Sequence, residues 1–411
     1  MLWVDVEDAH IGRRVREIRT WRGISLTAAA GLAGISVPYL SLIERGHRPV
    51  TKRAVLEALA QALKVSPVEL TGKPYAPSDA ASAEAHAAVV GVEEALVAID
   101  LGANSDAQPR AWPELAISVA RLENELVPAA DFAGQGELIP GLLVELHVLR
   151  DRDTDNRREI QVALLRVCHR AAVLLKTLGV RGFPLIAASH AQRVAEELGE
   201  PAWLGYAAWS RGSAAASAGR VGRRQQYSLS VAAADDLMPH LDDADAAQAY
   251  GMLHLNAALA CAAQQQNDEA MSHLHESAAI AGRLDDEVGT FGGLCFGRTN
   301  VGVSRVSLAA ELGDGAQVME AAREVRVEAI PSTGRQGAYL ADVGRTLAAE
   351  RRTREQGIRN LLKAESLAPQ LVRNNVFVRE TVSDLLASAR RDAGGRDLRG
   401  LAWRLGVAPI G

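Results

Sequence analysis

The chain has 411 residues, 48% hydrophobic and 23% charged, with a net charge of -5. This is enough apolar side chain for two or three domains, and it excludes a collagen-like, a disordered or a small disulfide-stapled chain. No run of about 18 apolar residues occurs, and the opening MLWVDVEDAH lacks a basic start followed by an apolar stretch; with three distant cysteines (Cys168, Cys261, Cys295) the expectation is a cytoplasmic chain with no membrane contact.

Charge is unevenly spread. Residues 10–73 hold eleven Lys and Arg against Glu17, Glu44, Glu57 and Glu69, a net of +7, so the remainder sums to -12. A small basic module on a large acidic body suggests that the module meets a polyanion and the body does not.

The basic module, residues 8–73, reads as five short helices. Ile11, Val15 and Ile18 recur at helical spacing among Arg13, Arg14, Arg16 and Arg19. Gly23 stops this first helix, and Ser25 is placed to cap a second that carries Ala29, Ala30 and Ala33. After Gly34, Ser36 is placed to cap a third, with Leu40 and Ile43 inside and Gly46 at its end. Thr51 is placed to start a fourth, with Val55, Leu59 and Leu63 inside. Ser66-Pro67-Val68-Glu69 is a capping box that opens a fifth.

The second and third helices, joined by Ala33-Gly34-Ile35-Ser36, have helix-turn-helix dimensions. Residues 11–72, from IGRRVREIRTWRGIS through GISVPYLSLIERG to VLEALAQALKVSPVELTG, resemble the XRE/Cro-type repressor domain, a five-helix lambda-repressor-like fold. The resemblance implies that Arg19 and Glu44 pair and lock the first helix to the third. It also implies that the third helix enters the major groove of double-stranded operator DNA with Val37, Pro38, Ser41, Leu42 and Arg45 toward the bases. Arg22, His47, Arg48, Lys52 and Arg53 would then clamp phosphates. Val37, Pro38 and Leu42 stand where relatives often carry polar readers, and their side chains make no hydrogen bonds. They are limited to thymine methyls, steric exclusion and DNA shape. A helix-turn-helix repurposed to dock protein is the competing reading of that departure.

Residues 74–83 (PYAPSDAASA) read as a linker. Beyond it the pattern is helical, without strand alternation. Residues 84–184 read as a helical connecting region or the N-terminal part of the solenoid, and fit no defined repeat. Residues 185–411 form the repeat part, to which the resemblance described below assigns sensing and dimerisation, with turns near Gly219, Gln266, Gly313 and Arg352 at spacings of 47, 47 and 39 residues. Such a period means stacked helix pairs, so the fold class is all-α, a helix-turn-helix domain followed by an α-solenoid. In residues 337–369, Gly357, Leu361, Ala364 and Pro369 resemble the second helix of a tetratricopeptide unit. Ala270, Leu274 and Ser277 make a weaker copy.

A helix-turn-helix domain followed by tetratricopeptide-like repeats resembles both a large group of actinobacterial regulators and the quorum-sensing peptide receptors of Gram-positive bacteria. That resemblance implies a homodimer whose concave groove takes a peptide or small-molecule effector. First helices of the pairs would line the groove, and the candidates are Tyr206, Trp209 and Arg211, Tyr250, His254 and Asn256, Arg298, Asn300 and Arg305, and Tyr339, Asp342 and Arg345. Asn256 and Asn300 stand mid-helix, where Asn is a poor helix former; an amide both donates and accepts and so can clamp a peptide backbone.

No P-loop, HExxH or G-x-S-x-G motif occurs, and the glycine-rich residues 289–293 follow a helical stretch rather than a strand. His273 and His275 diverge on a helix, and Cys168-His169 is a lone pair, so no metal, cofactor or enzymatic activity is expected. The expectation is a DNA-binding transcriptional regulator; the alternative is a protein-interaction adaptor whose helix-turn-helix no longer reads DNA.

Overall fold

A computed structural model describes residues 11–72, 80–103, 108–313, 315–392 and 395–407. Every regular element among them is helical. The head comprises α1 (Ile11–Trp21), α2 (Leu26–Leu32), α3 (Val37–Glu44), α4 (Arg53–Ala62) and α5 (Pro67–Thr71). Ser25 Oγ accepts from the Ala28 N–H at 3.1 Å and Ser36 Oγ from the Tyr39 N–H at 3.3 Å, which satisfies orphan donors at the starts of α2 and α3. Ser66 and Glu69 form the reciprocal capping box of α5. Ile11, Val15, Ala30, Leu40, Ile43, Leu59, Leu63 and Leu70 close one core between the five helices.

The start of α4 differs from expectation. Lys52 rather than Thr51 holds the cap position, and no side chain of the head caps it. The Arg53 N–H instead donates to Glu311 Oε2 at 2.9 Å, a carboxylate from far along the chain.

The body follows. Helix α6 (Ala80–Asp100) already includes residues 80–83, so the expected linker ends before them, and residues 73–79 lie outside the described residues. Then come α7 (Trp112–Arg121), a single π turn at Leu122–Leu126, α8 (Phe132–Arg152), α9 (Arg157–Leu178), α10 (Phe183–Leu198), α11 (Pro201–Ala215), α12 (Gly219–Leu237), α13 (Ala244–Ala263), α14 (Asn267–Ala281), α15 (Arg298–Leu312), α16 (Gly315–Glu324), α17 (Thr333–Ala348), α18 (Arg354–Leu367), α19 (Pro369–Arg373), α20 (Val376–Asp392) and α21 (Arg396–Arg404).

The turns expected near Gly219, Gln266, Gly313 and Arg352 each join the two helices of a packed pair: α11 with α12, α13 with α14, α15 with α16, α17 with α18. The first helices of successive pairs also touch. One further pair, α9 with α10, spans residues 157–198, so the array begins earlier than residue 185. Its sequence is masked by a long α9 in which buried residues run almost all round the helix and include Gln161, His169 and Arg170, so polar residues at buried positions blur the period.

Small residues set the closeness of the last pair. A Cβ on Gly357 would sit 2.4 Å from the Ala348 backbone nitrogen, where nothing can move aside cheaply. An exposed Gly→Ala change within a helix normally stabilises by about 1 kcal/mol. Here Gly357→Ala is expected to destabilise the chain by about 1–3 kcal/mol. Urea unfolding checks this, and an unchanged midpoint would mean that α17 and α18 reseat freely.

The stretch between α7 and α8 crosses to the far end of the array. The Pro128 carbonyl accepts from the Gly334 N–H at 2.8 Å and from Ser332 Oγ at 3.0 Å, at the start of α17. Gln370 Oε1 in α19 accepts from the N–H groups of Phe132 and Ala133 at 2.8 and 3.1 Å, capping α8. Under it lies an aromatic cluster of Trp203, Tyr206, Trp209, His169 and Phe291, with ring centres 4.6 to 6.2 Å apart.

Candidate nucleic-acid interface

Helices α2 and α3 bend through 109°, within the range of a helix-turn-helix. Arg19 grips Glu44 through two bonds, Nε to Oε1 at 2.6 Å and Nη2 to Oε2 at 2.8 Å, and its Nη1 donates to the Ile24 carbonyl at 2.9 Å. This pair fixes α1 against the end of α3, and so sets the angle at which α3 is presented.

On α3, Pro38 and Arg45 are exposed, and Val37, Ser41 and Leu42 are half-buried. Arg45 Nε folds back onto the Ser41 carbonyl at 3.2 Å. Arg22, His47 and Arg48 are exposed. Beside them an open groove is lined by Arg13, Arg16, Thr20, Trp21, Arg45 and His47, with Glu17 and Glu44 at its floor and edge. Trp21 is 81% exposed, with the Arg22 guanidinium 5.8 Å from its ring centre. The basic shell expected from the sequence therefore surrounds α3 on its outer side.

Lys52 and Arg53 stand elsewhere, and their expected phosphate role is corrected. Lys52 Nζ donates to the Leu312 carbonyl at 3.2 Å, at the C-terminal end of α15, where the unpaired carbonyls attract a cation. The Arg53 guanidinium lies over the Phe377 ring of α20 at 6.0 Å, and the backbone N–H of Arg53 donates to Glu311. Both residues are half-buried, and a cation engaged with the body in this way is turned from a duplex.

These two residues belong to a docking face between head and body. Arg223 of α12 donates to Glu57 of α4 at 2.8 Å, with both side chains under 10% exposed. Arg345 of α17 donates to Glu311 at 3.1 Å and to the Thr51 carbonyl at 2.7 Å, and its guanidinium lies 5.3 Å from the Phe377 ring. Arg181 of the α9–α10 turn reaches Glu69, and Arg220 reaches Gln61. Phe377 packs into the head's own apolar core. None of Glu57, Arg223, Glu311, Phe377 and Glu380 stood out in the sequence. The sequence carried no such signal: Val55, Leu56, Leu59, Ala60, Ala62 and Leu63 form one apolar stripe on α4, and the burial that extends beyond it falls on the charged Glu57.

Glu380 of α20 closes this face. Its carboxylate accepts from the Ile11 N–H at 2.9 Å and the Val50 N–H at 3.4 Å. Burial pushes its carboxyl up to about 7; the two N–H donors and Arg379 pull it down, and Asp384 adds to the rise. A carboxyl whose folded value is raised contributes stability that is complete below its unfolded value near ~4.3 and is lost as pH rises through the folded value. Stability of the full chain is therefore expected to fall between about pH 4 and about pH 7 through this group. Glu380→Gln should flatten that part of the profile in urea melts taken across pH; an unchanged slope would remove Glu380 as its source.

The twelve groove candidates do not gather into one lining. Asn256 is buried, donating to Ser230 Oγ at 3.0 Å and accepting from Gln226, so it joins α12 to α13 instead of facing a ligand. Arg345 and Asp342 pair with each other, and Asp342 also accepts from Ser307 at 2.7 Å. Tyr250 donates to Glu276 at 3.0 Å, Tyr339 to the Ala322 carbonyl at 3.3 Å, and His254 stands 3.0 Å from His273. Arg298 donates to the Leu284 carbonyl at 3.0 Å and Arg305 pairs with Glu324 at 3.3 Å. The reason is general: a buried or half-buried polar group in a tight helix pair finds a neighbour before it finds solvent. Arg211 is half-buried. Tyr206, Trp209 and Asn300 remain near one centre, around Arg170 and Arg335.

Among the described residues, no single helix is long and apolar enough to cross a membrane, and no group of three or more His, Cys, Asp or Glu is arranged to hold a metal ion. Residues 10–71 match the family model of a helix-turn-helix domain. Comparison of the chain with curated proteins and with solved structures returned no match.

Proposed function

We propose that the chain is a DNA-binding transcription regulator of the XRE type, working in the cytoplasm, in which α3 reads operator DNA and the helix-pair body decides how the head is held. The observation that carries this reading is the division of the head's surface. Its contacts with the body run through Ile11, Val50–Arg53, α4 and α5, while Pro38, Arg45, His47 and Arg48 stay exposed. The body is the dimerising and sensing part in this proposal, its pairs acting as tetratricopeptide-like repeats that take a peptide or small-molecule effector, as in quorum-sensing receptors. An effector would act only through a difference in affinity between two arrangements of head and body. Two heads on one dimer engage two half-sites only when their spacing matches the helical repeat.

Gel retardation of the DNA upstream of the protein's own gene, at about 50 and about 200 mM salt, tests the reading. Sequence-specific retention that weakens with salt is expected. Arg48→Ala should weaken retention on all sequences and reduce the salt slope by about 0.9 for the lost phosphate contact, whereas Arg53→Ala should leave the slope unchanged. Retention that never exceeds that of unrelated DNA would favour the adaptor reading, which the apolar Val37, Pro38 and Leu42 and the exposed Leu32 support.

A further inference from the structure

We infer that the face lined by the first helices holds a carboxylate-binding site centred on Arg166, Arg170 and Arg335, in which the chain's own Glu123 fills one place and a ligand carboxylate fills the other.

Glu123 lies on the π turn after α7, 3% exposed at its side chain. Arg166 Nη2 donates to it at 2.6 Å and Arg170 Nη2 at 2.7 Å. One carboxylate thus serves two guanidinium groups. Arg335, at the start of α17, adds a third. It donates to Asn300 Oδ1 at 3.2 Å and to the Gly293 carbonyl at 3.4 Å, both neutral, and no carboxylate among the described residues pairs with it. Gly293 ties the cations together: a Cβ there would lie 3.0 Å from Arg170 Nη2 and 3.7 Å from Arg166 Nη2, and its φ of +70° suits glycine. Tyr206 presents a buried hydroxyl with no hydrogen-bond partner to the same centre.

Three cations and one anion leave two positive charges without a counter-ion in a desolvated setting, where charges are ordinarily paired. The imprint of that field is visible nearby. His169 is held well below its ordinary value by burial and then by Arg170, Arg335, Lys176 and Arg166. Arg335 is partly exposed, so the centre is reachable from solvent. A carboxylate suits the planar fork of Arg335, with the Tyr206 hydroxyl as a further donor. The carboxylate has two natural sources, the free end of a short peptide or a small organic acid. The inference gives the sensing reading a place and a chemistry and rests on it for its biological purpose; its test does not pass through DNA.

Cys295 supplies the probe. It is half-buried, with its sulfur 3.7 Å from the Gly293 carbonyl, while Cys168 and Cys261 are buried. Its thiolate displaces iodide from iodoacetate or iodoacetamide, forming a thioether. In the full chain, the preference of Cys295 for anionic iodoacetate over neutral iodoacetamide should exceed that of free cysteine about tenfold, because the positive field concentrates the anion. Succinate, or trialanine with a free C-terminus, should slow iodoacetamide labelling saturably. Protection by trialanine but not by trialanine amide assigns a peptide end, and protection by succinate alone assigns a small acid. Arg335→Gln should abolish both the preference and the protection, with thermal melts reporting that it is folded. Should that variant melt, Glu123→Gln, which frees Arg166 and Arg170, should raise the preference further. A preference equal to that of free cysteine, protection by neither carboxylate, or protection that survives Arg335→Gln overturns the site. Protection without any change in DNA retention supports the site and removes the sensing reading alone.

Discussion

Arg223→Met is expected to destabilise the full chain by about 3–5 kcal/mol, because it leaves the Glu57 carboxylate buried without its partner. Both side chains are under 10% exposed and the bond between them is 2.8 Å. Glu57 Oε2 already lacks a hydrogen-bond partner, so Arg223 is the group that offsets its desolvation. Arg223 also donates to Gln226 at 2.8 Å, and Gln226 in turn bonds Asn256, so the loss spreads from the docking face into the α12–α13 pair. The double variant Glu57→Gln with Arg223→Met should recover much of the loss, since no charge then remains buried. Urea unfolding of the single and double variants measures this. If the single variant cost no more than a surface substitution, the head would not be seated on α12 through this pair.

Phe377→Ala is expected to cost about 3–5 kcal/mol, the range for deleting a buried aromatic ring. Its consequence should appear far from the substitution in sequence. Phe377 is 7% exposed, groups with Ile11, Val50 and Leu56 in the head's core, and carries the guanidinium groups of Arg53 and Arg345 against its ring. Hydrogen exchange should therefore show lowered protection in α1 and α4 as well as in α20. Loss confined to α20 would mean that the head keeps its core without the ring.

How much of this was legible beforehand depends on the range of the interaction. Helices of the head are governed by local chemistry: Ser25, Ser36 and Ser66 cap their own next turns, and Gly23, Gly34 and Gly46 take positive φ where the chain reverses. The pairs of the body were legible through their turns, because a turn signal recurs wherever two helices of similar length fold back. The α9–α10 pair was hidden, since Gln161, His169 and Arg170 occupy buried positions of α9 and break the apolar period. Lys52 and Arg53 were misplaced because a basic residue at a helix start reads the same whether it faces phosphate or a carbonyl at the end of α15. The carboxylates that hold the head, Glu311 and Glu380, lie 258 and 369 residues from their partners Arg53 and Ile11, and no local pattern announces contacts at that separation. Asn256 does stand mid-helix, and the reason is a neighbouring helix; Asn300 falls instead in the first turn of α15, where Asn is not out of place, and accepts from Arg335.

Glu380 follows Ile11 by 369 residues, and this has a consequence for synthesis. At ~5–20 residues per second, a translating ribosome releases the head roughly 15–60 s before the helix that covers its flank emerges. During that interval the helix-turn-helix is complete and the cover of its flank by α20 is not. A premature stop codon just upstream of Phe377 would make the interval permanent, yielding a product whose head keeps its contacts with α12, α15 and α17 but has an uncovered apolar flank.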